Sequence, residues 1–275
     1  CIRKLDEVLE GEELHYIIVH HMEPDHSSSL ERVLRKYPNA KIVTNAKTVT
    51  YIKQFFDFEN IDEKIVVVKE GETFSTGKHN FAFVLAPMVH WPEVMVSFDT
   101  TTGTLFSADA FGTFGAMNGN IFADQVDFEK EWLDDARRYY TNIVGKYGSP
   151  VQKALQKLGG LPISAICSTH GPVWTENIAK VIGIYDRLSR YDADEGVVIV
   201  YGSMYGNTEQ MAEAIAAELS AQGIKNIVMH NVTKSHPSYI IADIFRYKGL
   251  IIGSPTYSNQ LFPEVDALLS KILLR

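Results

Sequence analysis

Short apolar runs, each ending in a polar loop, set the rhythm of this chain. Tyr16-Ile17-Ile18-Val19 is short, apolar and β-rich, and predicts a strand. Phe81-Ala82-Phe83-Val84-Leu85 predicts another, and β-type segments precede Asp109 and His170. Further on, Val197-Val198-Ile199-Val200-Tyr201 is a continuous apolar run of the kind found in a buried parallel sheet. Ile227–Asn231 and Leu250–Gly253 predict two more strands beside it. Between the first two, Glu209–Gln222 has helical period, with Met211, Ile215 and Leu219 on one face. The segment ahead of Tyr16 reads as a helix. The character changes near Tyr185–Gly196, where Arg187, Arg190, Asp192, Asp194 and Glu195 form a polar stretch, and a linker is expected there. That divides the chain into domains at 1–190 and 196–275. A length of 275 residues exceeds the usual size of one core, and 45% hydrophobic residues can fill two.

The loops carry the chemistry. His21-Met22-Glu23-Pro24-Asp25-His26 follows the first strand, and four of its six side chains can bind a metal. A loop leaving a strand would bring His21, Glu23, Asp25 and His26 to one place, with room for two ions. An acidic, solvated loop with incidental histidines is the bland alternative, and four competent ligands so close together count against it. Zinc sites favour His and Cys, whereas mixed imidazole and carboxylate ligands suit iron or manganese. His90, in Met88-Val89-His90-Trp91-Pro92, follows the strand that ends at Leu85. Asp109 and His170 likewise follow β-type segments. One such histidine is usually a hydrogen-bonded loop residue; this set, beside the first motif, strengthens the metal reading. Trp91 and Met88 either shield that pocket or pack in the core.

The order HxExDH, then His, Asp and His, resembles the flavodiiron proteins, whose first domain has the metallo-β-lactamase fold. Zinc hydrolases of that fold carry HxHxDH, and Glu23 stands here at the second His, adding an anionic oxygen that favours iron. The resemblance implies one iron held by His21, Glu23 and His90, a second by Asp25, His26 and His170, and Asp109 bridging them. The counterpart of His26 binds iron in only some members of the family. His20 stands where Asn is usual and Ser28 where Gly is frequent, but only His21 has the spacing to Glu23 and Asp25.

The second half adds independent support. Tyr201 runs into Gly202-Ser203-Met204-Tyr205-Gly206-Asn207-Thr208, a strand, a small-residue loop and a helix start. Backbone N–H groups and the helix dipole favour a phosphate there. The loop is neither GxGxxG nor GxxxxGK[ST]. It resembles the phosphate loop of flavodoxins, which implies flavin mononucleotide (FMN) with its phosphate bonded by Ser203, Asn207 and Thr208 and with Met204, Tyr205 and Gly206 lining the turn. Ser254-Pro255-Thr256-Tyr257-Ser258-Asn259 resembles the first loop flanking the flavin ring, with Ser254, Pro255, Thr256, Tyr257 and Asn259 as contacts. Two ordinary strand–helix turns are the alternative.

Together these give an α/β chain: a metallo-β-lactamase-like αββα sandwich followed by a doubly wound, flavodoxin-like parallel sheet. The chain starts with Cys1 and stops after the third flavodoxin strand, so parts at both ends are expected to be missing, and weak flavin binding by the 275 residues is expected with them. The resemblance implies two iron ions and FMN. It implies reduction of dioxygen to water, of nitric oxide to nitrous oxide, or both. Electrons would come from a rubredoxin-like protein, a reductase or a reduced deazaflavin. The family's usual form is a head-to-tail homodimer, with the flavin of one subunit beside the diiron centre of the other and Trp174 either at that junction or in the core. The competing functions are a metal-dependent hydrolase of the metallo-β-lactamase fold, using metal-bound hydroxide, and a non-catalytic electron carrier or scaffold.

Composition narrows the partners. A formal net charge of −8 and a pI near 5.6 argue against sequence-independent nucleic-acid binding. Cys1 and Cys167 form no CxxC pair or disulfide framework, which suits a reducing, cytoplasmic setting, and Cys167 is expected as a buried thiol. No apolar run is long enough for a membrane span. His79, His230 and His236 are expected in structural or surface roles.

Overall fold

The computed structural model describes residues 2–273. Helix α1 (Ile2–Leu9) leads into the short strand β1 (Tyr16–Ile18). The segment after β1 is more ordered than the expected open loop. Glu23 opens a single helical turn, α2 (Pro24–Ser27), with Pro24 at its first position, where a missing N–H costs nothing. The amides of His26 and Ser27 both donate to the Glu23 carbonyl. Helix α3 (Leu30–Lys36), β2 (Lys41–Thr44), α4 (Ala46–Phe55) and β3 (Ile65–Val67) come next. The three strands form a parallel sheet in the order β1-β2-β3, and the helices supply the crossovers that parallel pairing needs. Val19, Met22, Leu30, Leu34, Ile42 and Ile52 fill the space between helices and sheet.

A meander of β4 (Thr73–Ser75), β5 (Asn80–Leu85), β6 (Met95–Asp99) and β7 (Thr104–Phe106) builds the second sheet. Helices α5 (Phe128–Glu131), α6 (Leu133–Ile143) and α7 (Gly148–Leu158) come after it, and β8 (Ala165–Cys167) then joins parallel to β7. Val43 of the first sheet packs with Phe83 and Met95 of the second, so the two sheets share a core. Burying a side chain such as Phe83 is worth ~2–3 kcal/mol. The result is the expected metallo-β-lactamase-like architecture. Its strand ends matter for the site. His21, Asp109 and His170 each come three residues after a strand, β1, β7 and β8 in turn. Because β5 and β7 both run opposite to β6, the turn after β5 that carries His90 opens at the same edge as Asp109.

Helix α8 (Ile178–Ser189) runs into the polar stretch, and β9 (Asp194–Tyr201) starts inside it. Only residues 190–193 lie between, and Arg187 pins them through Asp192 at 3.3 Å and Asp194 at 2.5 Å. The expected linker is therefore a short, ion-paired turn. Beyond it come α9 (Asn207–Ala221), β10 (Ile227–Asn231), α10 (Pro237–Arg246), β11 (Tyr247–Gly253), the hairpin β12 (Thr256–Tyr257) and β13 (Gln260–Leu261), and α11 (Pro263–Ile272). The parallel order β10-β9-β11 starts a doubly wound sheet. Val198 and Val200 face Ile240, Ile241, Val265 and Leu268, while Ile199 and Tyr201 face Ala212 on the other side. Burial on both faces is why Val197–Tyr201, the greater part of β9, is apolar without alternation.

Helix α9 turns mainly its small residues to the sheet. Ala212, Ala216 and Leu219 pack on the sheet, whereas Met211 is 65% and Ile215 37% exposed. The alanines let the helix lie close, and the larger apolar side chains fall on the neighbouring stripe.

Two compact units result. One holds residues up to Gly112 with Ala116–Phe128 and Ser149–Ile182; the other holds Thr113–Gly115, Glu129–Gly148 and the described residues from Gly183 on.

Candidate metal centre

Asp109 is 1% exposed, and each of its carboxylate oxygens faces a different group of side chains. Its Oδ2 lies 3.2 Å from His90 Nε2 and 3.4 Å from His21 Nε2. Glu23 Oε2 closes this group, 3.1 Å from His90 Nε2 and 3.3 Å from His21 Nε2. On the other side, Asp109 Oδ1 lies 2.8 Å from His26 Nε2 and 3.4 Å from His170 Nε2. Asp25 closes that group, 3.2 Å from His170 and 3.5 Å from His26. All seven ligand candidates read from the spacing therefore converge on one place. His26 stands between the sets: its donor atom lies within 4.8 Å of partners in both.

The spacing of these atoms is what a cation needs. Donors about 2.1 Å from one ion sit roughly 3.0 Å apart in octahedral and about 3.4 Å apart in tetrahedral arrangement. His26 Nε2 is buried and makes no hydrogen bond despite its approach to Asp109. The charge balance agrees. Burial would raise the Asp109 carboxyl, but His170, His26 and His90 outweigh it and hold it far below the usual carboxylate range. Asp109 in turn lifts the His170 imidazole above its ordinary value. This pocket concentrates negative charge and favours positive charge within it. The residues fit a pair of cations, and the mixed imidazole and carboxylate donor set suits iron or manganese better than zinc.

The backbone is bent to reach this geometry. Met88 (φ +66), Ala108 (φ +50) and Phe111 (φ +67) occupy the left-handed region, each within two residues of His90 or Asp109. Such strain persists only where the surroundings hold it; the Ala108 carbonyl accepts from the Thr169 amide at 2.9 Å. Gly112 lets the Asp109 and His170 loops meet, since a Cβ there would lie 3.0 Å from the Asp109 carbonyl and 3.2 Å from His170 Cβ.

Several neighbours were not legible in the sequence. Thr169 Oγ1 donates to Asp109 Oδ1 at 2.8 Å. Glu93, 2% exposed, accepts at one oxygen from the Met22 amide and lies 2.8 Å from His21 Nδ1. Burial would raise the Glu93 carboxyl, but the bonds from His21 and Met22 hold it below its ordinary range. Its position two residues after Trp91, in the His90 loop, was the only available signal. Trp91 sets its ring edge-on to His21, with centroids 5.0 Å apart, so it touches the site. Other groups stand apart from it. His20 turns away and bonds Ser97 Oγ at 2.8 Å, and burial pushes its imidazole down to about 4. Trp174 takes the core alternative: it is buried on Phe128 and donates its indole N–H to the Phe111 carbonyl. Cys167 is half-buried, and burial pushes its thiol up. His79 pairs with Asp99, His230 with Asp243, and His236 caps α10.

In the other unit, residues 202–208 form the turn into α9. Gly206 sits at the helix N-cap with φ +89, and its amide donates to Ser203 Oγ at 3.1 Å. Asn207 and Thr208 open the helix, and first-turn amides have no acceptor within the helix itself, an arrangement that suits an anion. Tyr205 is 87% exposed and Met204 is exposed beside it. In the second loop, Ser254 Oγ donates to the Pro255 carbonyl and accepts from the Phe262 amide. Thr256 and Tyr257 pair with Leu261 and Gln260 across the tight turn through Asn259 (φ +61), leaving Tyr257 exposed.

Comparison with known proteins places these features. Residues 1–171 match the family described as ODP family β-lactamase, and residues 199–273 match flavodoxin. An anaerobic nitric oxide reductase flavorubredoxin of Vibrio vulnificus is 32% identical over 98% of this chain and 55% of its own length. The solved structure of rubredoxin oxygen:oxidoreductase from Desulfovibrio gigas matches with TM-score 0.92 at 29% identity, over 98% of this chain and 67% of that one. That of the flavodiiron protein from Giardia intestinalis matches with TM-score 0.93 at 27% identity, over 98% and 66%. The chain spans 55–66% of the length of the first curated relatives it matches. Among the described residues, no helix is long and apolar enough to cross a membrane.

Proposed function

The chain belongs to the flavodiiron family, and from that premise we propose that it houses a two-iron centre that reduces dioxygen to water, nitric oxide to nitrous oxide, or both, with electrons passed through FMN. One observation carries the reading: each oxygen of the buried Asp109 faces its own set of imidazole and carboxylate donors. His21, Glu23 and His90 would hold one ion and Asp25, His26 and His170 the other, with Asp109 between them. Iron bound there would supply redox equivalents to a small diatomic gas.

The protein's own residues do the positioning. Three carboxylates besides Asp109 lie at or beside the pocket, Glu23, Asp25 and Glu93, and their charge suits a centre that must retain two cations in both oxidation states. Thr169 fixes one oxygen of Asp109 by donating to it. Trp91 covers one side of His21 and keeps water from that ring. Ser203, Asn207 and Thr208 would hold the FMN phosphate at the α9 N-terminus, and Ser254, Pro255, Thr256, Tyr257 and Asn259 would flank its ring.

The related proteins are named for different gases, one for nitric oxide and one for oxygen, so both substrates belong to the proposal. A rubredoxin-like protein or a reductase as electron donor, pairing of two copies head to tail, and a cytoplasmic setting belong to it too. So does the domain division at 1–190 and 196–275, supported by family matches that fall inside those limits. The hydrolase alternative finds less support, because Glu23 replaces an imidazole and a flavodoxin domain comes after it in the chain.

Anaerobic stopped-flow mixing of the reduced holoprotein with each gas tests this. Rapid reoxidation by dioxygen or nitric oxide is expected and identifies the substrate. Failure with both, together with hydrolysis of ester or lactam substrates, would replace the reductase by the hydrolase.

A further inference from the structure

The ligand set leaves Glu93 without a role, yet burying a carboxylate is costly unless something requires it. Its side chain is fully enclosed. One oxygen, Oε1, faces two groups: the Met22 amide at 3.0 Å and His21 Nδ1 at 2.8 Å. The other, Oε2, is buried with no hydrogen-bond partner. The loop holding Glu93 is fastened to the first sheet, because the Glu93 carbonyl accepts from Asn45 Nδ2 at 2.8 Å. The carboxylate is thus delivered to His21 from a residue 72 positions along the chain.

The chemistry at Oε1 fixes the tautomer. The Met22 N–H can only donate, so Oε1 is already an acceptor. An ionised oxygen in that position takes a second proton donor, and His21 Nδ1 supplies it. With the proton on Nδ1, the His21 Nε2 lone pair faces Glu23 Oε2 and Asp109 Oδ2. An imidazole whose remote N–H is given to a carboxylate is also a stronger electron donor to a cation.

We propose that Glu93 is a positioning residue for the ion held by His21. It locks the metal-binding tautomer of that ring and strengthens it as a ligand, so that this ion binds more tightly and is harder to reduce than it would be without the buried charge. The inference rests on the two-ion reading of the site. It concerns the ion held by His21, because that is the ring Glu93 meets.

The test is anaerobic titration of metal-free protein with ferrous ion and, separately, zinc ion, in the wild type and in Glu93→Gln, with circular dichroism confirming the fold of each. Glutamine keeps the shape and the acceptor oxygen but removes the charge. The expected result is a 10–100-fold loss of affinity at one of the two sites, the size typical of a lost carboxylate partner behind a metal-binding imidazole. The other site should change less than about threefold, and the reduction potential of the affected iron should rise. Equal binding at both sites and unchanged potentials in Glu93→Gln would overturn the proposal. Using both ions separates this from the family reading: a wild type that takes zinc and refuses iron contradicts the iron centre, while the variant's effect is still read on zinc. A second readout needs no variant. In cobalt-substituted wild type, the His21 Nδ1 proton should give a shifted, slowly exchanging NMR signal, because its acceptor is buried; absence of that signal would also overturn the proposal.

Discussion

Asp109 and Asp99 are both buried carboxylates, but they are held by different means. Asp109 faces four imidazoles, and Asp109→Ala should abolish binding of both ions rather than one, measured as iron retained after desalting. Loss of one iron with retention of the other would show that the carboxylate does not bridge. Asp99 ends β6 in a tight turn. Its oxygens accept from Thr102 Oγ1 and the Thr101 amide, and His79 Nδ1 lies 2.7 Å away. Burial would raise this carboxyl; the Thr102, Thr101 and His79 bonds outweigh it and bring it down to about 2. A depressed carboxyl stabilises the fold above its unfolded value, near 4, and that contribution fades as pH falls toward 2. Asp99→Asn should therefore lower stability by about 1–2 kcal/mol at pH 7, with the gap to wild type closing toward pH 2 in urea melts. A constant gap across that range would contradict the assignment. At this scale the ligand candidates were legible because His, Glu and Asp cluster unusually after β-rich runs. Glu93 was not, because its partner lies far away in sequence and nothing local marks a glutamate as buried.

Secondary structure followed the sequence closely where burial covers both faces of an element. The Val197–Tyr201 run is apolar because helices lie on each side of it, and its parallel partners match the pattern, although the strand starts three residues earlier, at Asp194. In helix α9, periodicity reports where apolar side chains recur, not which stripe faces the sheet. Small alanines gave the closer fit. Met211→Gln and Ile215→Gln should thus each change stability by less than about 0.5 kcal/mol, while Ala212→Leu should cost ~1–3 kcal/mol by overpacking. Thermal melts of the three variants check the assignment, and a large loss in Met211→Gln would contradict it. The turn into α9 makes a separate demand. Gly206 at φ +89 has open space for a Cβ but a backbone conformation that L residues resist. Gly206→Ala should cost about 1–2 kcal/mol; an unchanged melting point would show that the turn relaxes without penalty. The polar stretch near 187–195 read as a linker because charge alone cannot distinguish a solvated tether from a turn held by Arg187.

For the molecule as a whole, the two-unit plan and the order of its motifs were legible, because each half carries its own strand–loop signature. What the pattern could not supply was how the loops close on one another, since that depends on the shared core of two sheets and on strained residues such as Ala108. The central claim is a pair of irons joined through Asp109. Mössbauer spectroscopy of protein reconstituted with isotopically enriched iron, with metal quantified on the same sample, addresses it most directly. The account predicts two irons per chain, magnetically coupled in the oxidised state. A single uncoupled iron, or zinc retained in preference to iron, would contradict it.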